Sequence, residues 1–356
     1  MSVRQRTGAE VLVAMSGGVD SSVAAALLLE QGHRVVGVTM KLWGGESDSG
    51  CCSVSDVDDA RRVAHQLGID HHVFNFGDEF ERHVVGPYVD AHRAGRTPNP
   101  CIECNRHLKF DRLLQRAAVL GIELVATGHH ARIVTDPATG ARHVARGADA
   151  AKDQSYVLAM LGQAELARVL FPLGDRTKTE VRALAASLGL RTASKPDSQD
   201  VCFITSRTGR AGFLAARGPL TPGRVVDVDG AVVGEVPAVE LVTIGQRKGL
   251  GLAGGTREPR FATGVDVATA TVTIGTRRDL ERATVHLDAL TWAHEPVAGP
   301  VLAQVSAHGA ANPGELDLHT GVLTWRVPQR RVAPGQNVTL YDHQTGRLVL
   351  GSGIAA

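Results

Sequence analysis

No stretch of this chain approaches the ~20 consecutive apolar residues that a membrane-spanning helix requires, so a helical membrane protein is excluded. The opening segment, Met1 to Glu10, is polar and lacks the apolar core of a secretory leader, so the expected compartment is the cytoplasm. Cysteine is scarce, with five in 356 residues. In a reducing compartment such thiols serve reactivity or metal binding rather than structural bridges. Only one CxxC pair occurs, whereas a structural zinc site is usually built from two. Neither sign of charge prevails: 38 Lys and Arg face 37 Asp and Glu, a net +1. That total neither demands nor forbids a nucleic-acid partner, because affinity for phosphate depends on local basic patches. Internal repeats and low-complexity tracts are absent. A hydrophobic content of 43% is that of an ordinary globular protein, and the length exceeds one core, predicting two or three domains.

The strongest local signal is an apolar run, Val11 to Met15, that breaks into Ser16-Gly17-Gly18-Val19-Asp20-Ser21-Ser22 and is followed by helix formers from Val23 to Glu30. A buried strand, a glycine-hinged turn and a helix start together make an anion site. First-turn N–H groups have no internal partner, and the helix dipole favours negative charge there. Gly17 and Gly18 let backbone close on phosphate oxygens, and Ser16, Ser21 and Ser22 add hydroxyl donors. The Walker Gly-Lys-Ser/Thr is missing, so this is a different phosphate loop. The plainer alternative is an ordinary strand-to-helix turn.

Strand and helix signals alternate through the first half. Strands are expected at Arg34–Met40, His72–Phe76 and Glu123–Thr127, and helices at Asp56–Leu67 and Leu108–Leu120. This succession predicts a doubly covered parallel sheet, with ligands beyond the carboxyl ends of its strands, where Ser16–Ser22 and Gly128 would lie. Met40, at the end of the second strand, is placed to touch a base or simply to fill core. After about Phe203, short β-branched runs separated by glycine and proline take over, and Asp229-Gly230 marks a hairpin. The expected organisation is an α/β domain over 1–207, a small β domain over 208–280, and a C-terminal β-barrel over 281–356.

Cysteines give the second signal. Thr97-Pro98-Asn99-Pro100-Cys101-Ile102-Glu103-Cys104-Asn105 puts the CxxC at the end of a two-proline loop, just before a basic helix and within a segment, Arg93 to Arg116, that carries Arg93, Arg96, Arg106, Lys109, Arg112 and Arg116. A thiol at a helix N-terminus is biased toward thiolate. Cys202 follows Asp197-Ser198-Gln199-Asp200-Val201, and Cys51-Cys52 form a vicinal pair. Inert burial, a metal or iron–sulfur site, and sulfur chemistry all fit these residues.

Taken with Arg96–Pro100, Cys104-Asn105, Lys109-Phe110, Thr127-Gly128-His129, Lys152–Tyr156, Asp197–Ile204 and Thr243–Gly251, these blocks closely resemble the tRNA-specific 2-thiouridylases across essentially the whole chain. The resemblance implies a Rossmann-like ATP-pyrophosphatase domain and ATP-dependent 2-thiolation of a wobble uridine (U34). Ala14, Met15, Ser16, Gly17, Gly18, Val19, Asp20, Ser21, Ser22, Met40 and Gly128 would hold ATP, with Mg²⁺. Uracil O2 would be adenylated, releasing pyrophosphate, and AMP would leave on sulfur transfer. Cys202 would carry a persulfide and Cys104 would be its partner thiol.

Asn99, Pro100 and Cys101 match the segment beside the target base, where many relatives carry Asp in place of Cys101. A thiol is the poorer general base near neutral pH, and Asp200 or a water is the substitute. His129, Lys152, Asp153, Gln154 and Gln336 match tRNA contacts, and Ser306-Ala307 replaces an Arg-Tyr pair of relatives, whose role would pass to Arg330 and Arg331. Expected partners are tRNAs for Lys, Glu and Gln and a sulfur donor, either a cysteine desulfurase or a relay protein. An iron–sulfur cluster on Cys101, Cys104 and Cys202 is the alternative chemistry. An amide-forming ligase would share the loop without needing the cysteines, and a non-enzymatic tRNA-binding module would not need the loop.

Overall fold

The computed structural model describes residues 8–42, 54–197, 201–205, 207–252 and 258–356. Cys51, Cys52 and Ser198–Asp200 lie outside these. Strand β1 (Glu10–Ala14) is apolar on both faces because it runs through the middle of a sheet. Helix α1 (Val19–Glu30), β2 (Arg34–Lys41), α2 (Val54–Leu67) and β3 (His71–Asn75) follow. Amphipathic α2 buries Ala60, Val63 and Ala64 and stops at Gly68, whose φ of 66° suits glycine. The third strand starts and ends one residue before the expected span, since Phe76 turns inward as a core residue instead.

Two helical runs come next. In the first, α3 (Gly77–Phe80) passes through a π-helical turn, Glu81–Val85, into α4 (Gly86–Arg93). In the second, α5 (Pro100–Cys104) continues through a π-helical stretch, Asn105–Arg112, into α6 (Leu113–Val119). The expected Leu108–Leu120 helix thus begins eight residues earlier, at Pro100. The reason is a strong start: Asn99 Oδ1 accepts N–H bonds from Cys101 (3.1 Å) and Ile102 (3.4 Å), and Pro100 has its φ preset for the first helical position.

Then come β4 (Leu124–Ala126), the hairpin β5 (Ala131–Thr135) and β6 (Arg142–Arg146), α7 (Gln163–Leu166), β7 (Val169–Leu170) and α8 (Lys178–Ser187). The sheet is parallel, in the order β3-β2-β1-β4-β7. Strand order reverses between β1 and β4, and the crevice beyond their ends is the place where such sheets bind ligands.

Helix α9 (Gly209–Ala215) leads into a second sheet of β8 (Gly223–Val226), β9 (Val232–Val236), β10 (Phe261–Asp266) and β11 (Thr271–Gly275), in the order β10-β11-β8-β9. Its β8–β9 hairpin turns at Asp227–Ala231, where Asp227 Oδ1 accepts the N–H groups of Asp229 and Ala231. The last strands, β12 (Glu281–Trp292), β13 (Gly299–Gln304), β14 (Asn312–Asp317), β15 (Val322–Arg330), β16 (Asn337–Asp342) and β17 (Val349–Ala355), close into an antiparallel barrel. Closure leaves no open sheet edge.

The barrel is bolted to the α/β domain by a buried polar seam. Tyr156 Oη donates to Asn337 O (2.9 Å), Thr339 Oγ1 to Tyr156 O (3.2 Å), and Ser155 Oγ meets Tyr341 Oη at 3.0 Å. Arg146 stacks over the Tyr341 ring at 4.0 Å. Removing the Tyr156 hydroxyl strands the buried Asn337 carbonyl, so Tyr156→Phe should cost about 1–3 kcal/mol. The check is chemical denaturation, in which the first unfolding midpoint should fall; an unchanged midpoint would mean that the seam is not a stability determinant.

Candidate functional site

After β1 the chain turns into α1 through Met15–Gly18. Met15 N–H donates to Val38 O (2.7 Å) and Thr39 Oγ1 to Met15 O (2.7 Å), fixing the turn to β2, whose penultimate residue is Met40. Gly17 has φ 71°, and a Cβ there would lie 2.2 Å from Asp56 O. Gly128, just past β4, packs so closely on α1 that a Cβ would lie 2.7 Å from Ser21 N. Only glycine fits either place. Hydroxyls finish the loop: Ser22 Oγ donates to Gly18 O (2.8 Å), and Ser21 Oγ accepts from Ser16 N (3.1 Å). Gly18, the N-cap, has no side chain to satisfy the first-turn N–H groups, which leaves them for an anion.

Cations surround this loop. Lys178 Nζ contacts Asp20 Oδ2 (2.7 Å) and Asp197 Oδ1 (2.9 Å), while Lys152 and Arg182 also reach Asp197, at 2.8 and 2.6 Å. His130 Nε2 lies 3.1 Å from Asp20 Oδ1. Burial opposes ionisation of Asp20, yet the hydrogen bonds and charge of His130 and Lys178 outweigh it and hold the carboxyl below its usual range. For Asp197, burial is likewise overcome, by Lys152 and Lys178, and its carboxyl sits far below that range. Lys195 Nζ donates to Gly17 O (3.0 Å), Asp56 Oδ1 (2.6 Å) and Asp59 Oδ2 (2.7 Å). Burial disfavours its charge, but Asp56 and Asp59 raise its pKa above that of an ordinary lysine. Lys178, Lys195 and His130 were not singled out from the sequence. The one available cue was the capping box Thr177–Glu180, which marks Lys178 as the first residue of a helix.

The thiols stand on a separate but adjoining wall. Cys101 lies in the first turn of α5 and Cys104 at its last residue, both half-buried. Cys104, Val201, Cys202 and Ile204 pack on the same hydrophobic core, which anchors Phe203 against Phe80, Tyr88 and Phe213 at 5.6, 5.4 and 5.1 Å between ring centres. Val201 has φ 53°, a strained value for a β-branched residue, immediately before Cys202. Among the described residues, no three Cys, His, Asp or Glu groups converge as a metal site, so Cys101, Cys104 and Cys202 do not form a ready ligand set.

The expected tRNA contacts divide. Lys152 is exposed and ion-paired with Asp197. His129 is buried between Phe110 and Phe171, its Nδ1 bonded to Thr127 Oγ1 at 2.7 Å, and burial with the nearby charges of Lys109 and His130 keeps its ring neutral. The Asp153 side chain is largely enclosed too, accepting from Arg146, Gly147 and Ser155. Gln154 Oε1 accepts His130 N–H (2.9 Å). Gln336 Nε2 donates to Thr97 O (2.6 Å), so in this arrangement it braces the CxxC loop. The side chains of His129 and Asp153 are thus engaged inside the fold.

The described residues contain no helix long and apolar enough to cross a membrane. A family model described as the tRNA methyl transferase HUP domain matches residues 9–206, and one described as the tRNA methyl transferase PRC-barrel domain matches 211–276. A protein of Roseiflexus sp. (strain RS-1) named tRNA-specific 2-thiouridylase MnmA is 44% identical over 97% of this chain and 98% of its own. The chain belongs to the tRNA-specific 2-thiouridylase family. Members with the same name from Chloroflexus aurantiacus (46% identical; 97% of this chain, 98% of that one) and Mycobacteroides abscessus (45%; 97% and 99%) agree. Among solved structures, a 4-thiouridine synthetase–RNA complex with bound ATP aligns with TM-score 0.38 and 21% identity, covering 55% of this chain and 45% of that one.

Family membership fits the loop to ATP: the donor set is backbone N–H groups, serine hydroxyls and lysines, all suited to phosphate oxygens. Two outcomes follow. Gly17→Ala should cut ATP-dependent pyrophosphate release by at least about 100-fold, since displacement of the loop by even 1 Å is that costly; normal turnover would refute the loop assignment. Asp20 and Asp197 have lowered folded-state pKa values, so their contribution to stability is full above about pH 4 and fades as pH falls through the lowered values. Thermal melts from pH 6 to 2 should show this loss, and Lys178→Met should weaken the dependence.

Proposed function

We propose that this enzyme thiolates the wobble uridine of tRNA at C2, with ATP as activator and Cys202 and Cys104 as the working thiols. The supporting observation is placement. The phosphate loop lies at the β1/β4 crevice, Lys195 and Asp197, just before Cys202 in sequence, bond to Gly17 and to Lys178 there, and Cys104 and Cys202 pack on the same hydrophobic core. Uracil O2 attacks the α-phosphorus of ATP and pyrophosphate leaves, so the poor leaving oxygen becomes part of AMP. Lys178 and Lys195 are the cations placed to offset polyphosphate charge. Mg²⁺, when bound, adds to that neutralisation.

Sulfur arrives on Cys202 as a persulfide from a cysteine desulfurase or relay protein. The Cys104 thiolate attacks the Cys202 Sγ, breaking the persulfide S–S bond. Hydrosulfide is released and a Cys104–Cys202 disulfide forms. Hydrosulfide adds at C2 and AMP departs, giving 2-thiouridine; an external thiol reductant resets the disulfide. Position 101 carries a thiol, not a carboxylate, so proton handling at the base falls to another group. The tRNAs expected are those for Lys, Glu and Gln.

Cys104→Ser and Cys202→Ser should each abolish 2-thiouridine, measured by nucleoside mass spectrometry, while ATP-dependent pyrophosphate release and adenylation of the tRNA persist. An alcohol can neither hold nor release sulfane sulfur at neutral pH. Cys101→Ser should leave partial activity. Complete loss at Cys101, with a visible chromophore in anaerobic wild-type protein, would instead favour the cluster chemistry. Full activity of Cys202→Ser would sink both.

A further inference from the structure

The block Thr243–Gly251 has no part in the chemistry above, yet it is held with care. Gly245 N–H donates to Ala262 O (2.7 Å), Thr243 N–H to Gln246 Oε1 (3.1 Å), and Gln246 Nε2 to Lys248 O (2.8 Å). Gly245 and Gly249, with φ of 84° and 71°, allow the tight winding. The loop leaves Arg247 and Lys248 exposed. It also meets the barrel: Arg330 donates from Nη2 to Gly245 O, and Arg331 Nη1 to Thr263 O (2.9 Å).

These two arginines, with Arg282, line a cavity of about 260 Å³ that also includes His286, Trp325 and Ala356. Among the described residues, no Asp or Glu side chain lines it. The partners described for the three guanidinium groups are backbone carbonyls: Gly245 and Thr263 as above, and Asp279 and Glu281 for Arg282 (2.9 and 2.8 Å). A guanidinium has five N–H donors, so one or two carbonyls leave most of them for another acceptor. Burial, and then the charge of Arg282, lower the pKa of Arg331, as expected where two guanidinium groups approach. Three fork-shaped donors converging with no acidic side chain described among them suit phosphate oxygens.

The position suits RNA. Arg331 precedes by three residues Pro334, whose carbonyl accepts Thr97 N–H (2.7 Å), two residues before the Asn99 cap. Three residues span at most about 11 Å of extended chain. The cavity therefore lies beside the CxxC loop, within reach of the same RNA strand as a base held there. We propose that the seam between the central sheet and the barrel, built from Arg282, Arg330 and Arg331 and extended by Arg247 and Lys248, is a phosphodiester-binding contact for the RNA substrate. It rests on the tRNA reading above and supplies the backbone contact that exposed Ser306-Ala307 lack.

The test is binding of a labelled full-length tRNA transcript to the whole protein across a salt series. Each lost phosphate contact should lower the slope of log K against log salt by about 0.7–0.9, so Arg282→Gln/Arg330→Gln/Arg331→Gln should lower it by about 2. Arg247→Ser/Lys248→Ser, on exposed loop positions, should lower it by about 1.5 and keeps the test alive if the triple variant fails to fold. An unchanged slope in a folded variant with a lowered melting temperature would overturn the proposal and make the arginines interdomain ties. If radiolabelled inorganic phosphate binds wild type but not the triple variant, with equal RNA slopes, the cavity serves a free anion and the RNA assignment is overturned. Assaying 2-thiouridine on wild type alongside separates the readings: absent product with a reduced variant slope would refute the thiolation but not the contact.

Discussion

One ammonium group holds the catalytic end of the sheet together. Lys178 Nζ bridges Asp20, in the first turn after the phosphate loop, and Asp197, which opens the segment leading to Cys202. Two carboxylates would repel each other at this spacing without the ammonium between them, and the nearly buried lysine would lose an ion-pair partner if either left. Each therefore requires the others. The same arrangement explains why Arg182 and Lys152 converge on Asp197: one carboxylate faces three cations, an excess of positive charge suited to a polyphosphate. Lys195 repeats the logic on the other side of the loop, joining Gly17 to the carboxylates of α2.

The thiol helix depends on a different kind of support. Asn99 caps it and Asn105, buried directly after Cys104, donates to Val157 O (2.9 Å) in the segment that also carries Tyr156. Tyr156 in turn reaches β16 of the barrel. Local capping thus sets where the helix starts, and tertiary bonds from two other parts of the chain set where it points.

Much of this was legible in the residues. The loop was readable because glycines at Gly17 and Gly128 report backbone contact directly, a demand that no other residue type meets. The parallel sheet followed from apolar runs buried on both faces. The start of the thiol helix was missed because Asn99-Pro100 serves equally as turn and as cap, and only the pairing of Asn99 Oδ1 with two N–H groups decides between them. Lys178 and Lys195 were not legible, because their partners lie 158 and 139 residues away and long-range ion pairs leave no periodic trace. The enclosure of the His129 and Asp153 side chains was not legible either, because polar residues in a motif carry no mark of burial.

The bond between Thr97 and the Pro334–Gln336 turn bears on how the chain can diversify. A barrel that merely recruited RNA could be exchanged between relatives as a cassette. Here the turn grips the loop that begins the thiol helix, and a Cβ at Gly335 would press on Arg96 and Thr97. The two pieces form a single inherited block although they lie at opposite ends of the chain. Exposed side chains of the barrel, such as those of Ser306 and Ala307, are under no such constraint, and a chimera that swaps the barrel must bring residues 96–99 with it.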